Sequence, residues 1–231
     1  MAAKPTLVLL PGMDGTGELF APFLRALGGE FPCVVIRYPA DQPLDYPALE
    51  ALVRRQLPIC AEFALLGESF SGPVGVSIAA SPPAGLRGLV LCASFLRNPR
   101  RGLSWLRRLL AWMPVTMTLG RLRSRILLGP AASPELQSEL AAALTQVLPG
   151  VLRARMSAVM AVDVVEAFRR VTVPVLYLLA EEDRVVPESS AALVKRTLPS
   201  AEVISIRAPH LLLQAAPEEA AEVLRTFLRK V

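Results

Sequence analysis

The chain has 231 residues, 53% hydrophobic and 19% charged, with a net charge of +5. Such a length and apolar content support one sizeable core and exclude a disordered or low-complexity chain. A single histidine and three cysteines exclude a histidine-built zinc site and a disulfide framework. Cys33, Cys60 and Cys92 lie in or beside apolar segments and read as small buried hydrophobes. No apolar run reaches the roughly 20 residues of a membrane span before Arg, Asp, Glu or Pro interrupts it. The run after Lys4 is too short for a secretory signal, so a cytoplasmic location is expected.

In chain order, aliphatic runs predict strands at 6–10, 33–37, 63–67, 89–93, 173–179 and 203–206. Most are continuous rather than alternating, the pattern of strands buried on both faces of a parallel sheet. Helix-period segments lie between and after them, at 18–27, 46–56, 71–80, 189–198 and 217–229. The first stops at Gly28-Gly29 and the last begins with Pro217, a helix-stop and a helix-start signal. Strand and helix in alternation predict a doubly wound α/β sheet of about six mostly parallel strands. About 75 residues separate the fourth and fifth strands, too long for a loop inside a compact domain. They read as a helical cap, residues 97–171, inserted into a core made of 1–96 and 172–231.

The chemistry concentrates at four of the strand ends. After the third strand the chain reads Gly67-Glu68-Ser69-Phe70-Ser71-Gly72 and runs straight into a helix. A serine on so sharp a strand-to-helix turn stands clear of the sheet, with small residues needed around it and a helix N-terminus behind it. A serine hydroxyl needs a base to act as a nucleophile. His210, the one histidine, follows the sixth strand. An imidazole base needs an orienting carboxylate. The turn after the fifth strand offers Glu181, Glu182 and Asp183; Asp183 is favoured because it lies furthest past the strand, which leaves the two glutamates as solvated turn residues. Backbone N–H groups of Phe70 and of Met13, in the Gly-rich loop after the first strand, are the candidate oxyanion donors.

The order Ser69, Asp183, His210, with the elbow, the first-strand loop and the insertion, resembles the α/β-hydrolase fold family over nearly the whole chain. The resemblance is to small bacterial capped serine esterases of the kind related to methyl-ester carboxylesterases. It implies a trimmed α/β-hydrolase fold and cleavage of carboxylic esters with a short to medium apolar acyl chain, through an acyl-enzyme and without a metal or organic cofactor. Two positions depart from the family pattern: Ser71 stands where glycine is usual, and Pro11 where a histidine commonly precedes the loop glycine.

Trp105, Trp112, Met113, Met117, Met156 and Met160 in the insertion are the candidate lining of an apolar acyl pocket. Between Arg97 and Arg125 lie eight arginines and no acid. That patch fits an acidic acyl-carrier protein, which keeps a thioesterase or acyltransferase open as the alternative, or else it is the solvated face of the insertion. Nothing accompanies it that marks a nucleic-acid module. A nucleotide-binding reading of Gly12, Gly15 and Gly17 fails on their spacing. A non-catalytic binding module remains a further alternative, which covalent labelling of Ser69 would separate.

Overall fold

Six aliphatic segments pair into one all-parallel sheet in the order β2-β1-β3-β4-β5-β6. They are β1 (Thr6–Leu10), β2 (Cys33–Val35), β3 (Phe63–Glu68), β4 (Leu86–Cys92), β5 (Val175–Ala180) and β6 (Glu202–Ile206). The computed structural model describes residues 4–59, 61–100, 120–130 and 132–231. Each strand falls where the sequence predicts it, with ends displaced by at most three residues. The largest displacement is the start of β4, where Arg87 and Gly88 interrupt the apolar run. Gly88 pairs with Ala64 within the strand and leaves room for the Phe227 ring, from which a Cβ there would sit 2.9 Å.

Side chains alternate between two buried layers, as strand geometry requires. Val8 and Leu10 of β1, Phe63 and Leu65 of β3, and Leu89 and Leu91 of β4 face one layer. That layer is closed by α2 (Tyr46–Arg54), α3 (Gly72–Ala80), α7 (Val165–Phe168) and α8 (Ser189–Thr197). Leu7, Leu9, Ala64, Leu66 and Val90 face the other, closed by α1 (Ala21–Leu27), α9 (Leu212–Ala215) and α10 (Pro217–Leu228). Burying each such leucine contributes about 1.5–3 kcal/mol, so a strand run without a polar residue is what a doubly covered sheet demands. Local signals set the helix ends. The Asp45 carboxylate accepts from Ala48 N at 3.0 Å at the start of α2, and Gly28 takes a left-handed φ of 69° at the end of α1.

Between β4 and β5 the chain forms α4 (Gly120–Leu127), α5 (Pro134–Thr145), α6 (Pro149–Ala161) and α7. Ser133 caps α5, its hydroxyl accepting from Leu136 N at 3.2 Å. The insertion rests on the loops after β1 and β2. Val147, Val151 and Leu152 pack on Met13 and Ala40, and Leu148 N donates to Ala40 O at 3.0 Å. Among the described residues no helix is long and apolar enough to cross a membrane. Cys92 is buried, but Cys33 is exposed, against the expectation for both. It lies on β2, an edge strand whose side chains only half fill a layer. Cys60 lies outside the described residues.

The order of strands reverses between β1 and β3, since β2 lies on one side of β1 and the chain returns on the other. In open α/β sheets the crevice beyond the carboxyl ends at such a switch point is where ligands bind. The β1 loop and the serine elbow both open there.

Candidate active site

All six residues of β3 are buried. The chain leaves it at Ser69 with φ 46°, a left-handed conformation that costs a non-glycine residue on the order of 1–3 kcal/mol. A short 3-10 turn, Ser69–Ser71, then feeds α3. Two glycines make this possible by contact. A Cβ at Gly67 would lie 2.8 Å from Ser71 O, and one at Gly72 would lie 1.8 Å from Ser94 Oγ. Ala93 beside it is, among the described residues, the second non-glycine residue with positive φ, at 45°. The Ser94 hydroxyl donates to Ser69 O at 2.6 Å, and Tyr177 OH donates to Ser94 O at 2.6 Å. The two strained turns therefore brace each other.

The Ser69 hydroxyl lies 2.8 Å from His210 Nε2, and His210 Nδ1 lies 2.7 Å from Asp183 Oδ2. The other carboxylate oxygen of Asp183 accepts from Val185 N at 2.7 Å and Val186 N at 2.9 Å. These backbone bonds fix the carboxylate and leave one oxygen for the imidazole. The histidine and aspartate side chains are almost fully shielded, whereas Ser69 is partly exposed. The histidine loop is held from the insertion, Leu211 N donating to Leu127 O at 2.9 Å. Glu181 and Glu182 are exposed, and Glu182 pairs with Arg207 at 3.2 Å.

Phe70 N–H opens a helical segment, so it has no partner within the helix. Met13 lies in a turn closed by Gly15 N donating to Gly12 O at 3.1 Å, and its N–H has no acceptor among the described residues. The Ser71 hydroxyl, where the family pattern has glycine, donates to Pro11 O and lies 2.7 Å from Tyr38 OH. Both departures from the pattern thus meet in one contact between the elbow and the β1 loop.

Three polar side chains beneath this surface were not among the residues that the sequence singled out. Glu68 is 1% exposed and accepts from Gln214 Nε2 at 3.0 Å. Burial pushes its carboxyl up to about 8, nearby Asp14 adds to the rise, and the bonds from Gln214 and the Gly12 backbone oppose it. Gln214 Oε1 is buried and has no hydrogen-bond partner among the described residues. Arg155, also 1% exposed, reaches from α6 to the backbone of the β1 loop. The sequence Leu152-Arg153-Ala154-Arg155-Met156 does not set it apart from Arg153. For Glu68 a signal was present: an acid closing an otherwise apolar strand.

Met156 and Met160 are half-buried on α6 and pack into none of the buried clusters of the described residues. Trp105, Trp112, Met113 and Met117 lie outside the described residues, as do Arg101, Arg107 and Arg108 and the side chains of Arg121 and Arg123. Arg100 donates to the carbonyls of Arg184, at 2.5 Å, and Val185, at 3.3 Å, and so braces the turn that carries Asp183.

The sequence matches the alpha/beta hydrolase family over residues 7–223. The chain belongs to that family. This alpha/beta hydrolase is 27% identical to the pyrrolizixenacetamide deacetylase of Xenorhabdus hominickii, over 97% of this chain and 91% of that protein. Among solved structures it is similar to the enol-lactonase from Burkholderia xenovorans, with a TM-score of 0.86 and 16% identity over 99% of this chain and 92% of the other. It is also similar to a thermophilic esterase from Thermogutta terrifontis, with a TM-score of 0.84 and 20% identity over 100% and 91%. At such identities the structural likeness speaks to the fold.

Proposed function

We propose that this alpha/beta hydrolase is a carboxylesterase-type serine hydrolase that cleaves esters with a short to medium apolar acyl chain. The observation that carries the reading is the unbroken relay from Ser69 Oγ to His210 Nε2 and from His210 Nδ1 to Asp183 Oδ2, at 2.8 and 2.7 Å, ending on a serine in strained backbone. In this reading His210 takes the Ser69 proton as the hydroxyl oxygen attacks the ester carbonyl, and Asp183 holds the imidazolium. The N–H groups of Phe70 and Met13 receive the oxyanion. His210 returns the proton to the leaving alkoxide as the C–O bond breaks. It then draws a proton from water, which attacks the acyl-enzyme and frees the acid and Ser69. Residues 97–171 serve as a cap over this site, with Met156 and Met160 on its acyl side, and the enzyme works in the cytoplasm.

The likeness to a deacetylase favours a second reading, hydrolysis of an acetyl amide by the same groups. A thioesterase acting on a carrier-bound acyl group would use them too, with the arginines of the cap docking an acidic carrier. The test is turnover of p-nitrophenyl esters of graded chain length beside the matching anilides and thioesters, with Ser69→Ala alongside. Loss of such a nucleophile lowers turnover by on the order of 10⁶. Turnover that survives in Ser69→Ala sinks the mechanism, and the preferred acyl and leaving groups choose among the readings.

A further inference from the structure

Met13 can receive an oxyanion only if its peptide unit is held in place. The turn bond from Gly15 N to Gly12 O, 3.1 Å, turns the Gly12 carbonyl inward. In a trans peptide the carbonyl and the following N–H point in opposite directions, so this bond aims Met13 N–H outward. It leaves the carbonyls of Met13 and Asp14 without backbone partners.

Arg155 takes both. Its Nη1 donates to Met13 O at 2.8 Å and to Asp14 O at 2.9 Å, and its Nη2 donates to Pro39 O at 2.9 Å on the loop after β2. Its guanidinium carbon lies 5.8 Å from the centroid of the Tyr38 ring. Tyr38 N in turn donates to Gly15 O at 2.8 Å. A planar fork therefore joins two loops through three carbonyls, which the point charge of a lysine does not reproduce. Gly15 is shaped around it: φ is 72°, and a Cβ there would lie 2.7 Å from Nη1.

The charge itself needs an explanation. Arg155 is buried, and among the described residues it makes no ion pair. The Asp14 carboxylate is turned to Thr16, accepting from its N at 2.9 Å and its hydroxyl at 2.6 Å. A buried cation compensated by carbonyl dipoles, the Tyr38 ring and the nearby charge of Asp14, without a direct ion pair, is a costly way to fill space that an apolar side chain would fill more cheaply. Its benefit is the geometry it imposes on the loop.

We propose that Arg155 is the positioning residue of the oxyanion loop, so that a side chain of the inserted segment sets the orientation of Met13 N–H. The inference rests on the serine-hydrolase reading of the site. Arg155→Lys and Arg155→Ala are compared with wild type on a p-nitrophenyl ester. Sites are counted by titration to completion with an organophosphate, and the rate of fluorophosphonate labelling is measured beside turnover. A misplaced donor lowers kcat per titrated site by about 10–100-fold. KM is expected to stay within about threefold and the labelling rate to fall in step with kcat. Added guanidinium in the millimolar range is expected to restore part of the kcat of Arg155→Ala, which a general loosening of the fold would not allow. Should Arg155→Ala fail to fold, Arg155→Lys alone decides through its kcat per titrated site. A variant with wild-type kcat per site, whatever its melting temperature, overturns the positioning role and leaves the serine mechanism standing. A wild type that neither turns over nor labels overturns both.

Discussion

Glu68→Gln is expected to stabilise the protein at alkaline pH and to leave it nearly unchanged under acid. The wild-type carboxyl titrates at about 8 in the folded state, against an ordinary value of 4.5. Below 4.5 the side chain is protonated whether the chain is folded or not, and glutamine is a close neutral substitute. Between 4.5 and about 8 the folded protein holds a proton that the unfolded chain has released. The contribution of Glu68 to stability is therefore full below 4.5 and falls by about 1.4 kcal/mol for each pH unit crossed, about 5 kcal/mol in all, before levelling above 8. Glutamine removes that loss because it has no proton to release. Urea unfolding of both proteins at pH 5, 6.5 and 8 measures the difference, in which every other titrating group largely cancels. The advantage of Glu68→Gln should grow steadily across the three values. A difference that stays constant with pH would refute the reasoning, because it would mean that Glu68 ionises in the folded protein as it does in the unfolded chain.

Two further outcomes follow from the same geometry. Asp183→Asn keeps the shape of the turn but favours the wrong imidazole tautomer. It is expected to lower kcat by about 10⁴ with far less change in KM, as steady-state ester kinetics would show; a loss under tenfold would point to another acid. Gly72→Ala is expected to lower stability by about 3 kcal/mol, since its Cβ would lie 1.8 Å from Ser94 Oγ and 2.7 Å from Ser94 Cβ. Adding Ser94→Gly should recover much of the melting temperature, and a double variant no more stable than Gly72→Ala would show that the clash lies elsewhere.

The fold was legible because its strands are covered on both faces. Runs such as Leu7-Val8-Leu9-Leu10 and Phe63-Ala64-Leu65-Leu66 have no polar residue for either layer to reject, so local sequence alone specifies strands of a parallel sheet. The strand order was not in that signal. Periodicity says which residues face a layer and nothing about which strand is neighbour to which. The reversal between β1 and β3, which opens the crevice, emerges only from the paired sheet. Cys33 was misread for the same reason: an apolar neighbourhood in sequence does not reveal that β2 is an edge strand.

At the site, the sequence by itself determined the candidate reacting residues. Ser69, Asp183 and His210 each sit just beyond a strand end, where side chains reach the open edge of the sheet, and there is only one histidine to choose. What tertiary structure alone decided is how they are supported. Arg155 lies 142 positions from the Met13 carbonyl it holds, and Gln214 lies 146 positions from Glu68. A lone arginine on a helix and an acid at a strand end acquire these partners only when the insertion and the chain's last quarter pack against the sheet. Long-range contacts of that kind leave no local pattern: Arg155 binds backbone carbonyls, which every residue carries, and Gln214 meets Glu68 only across a long stretch of chain.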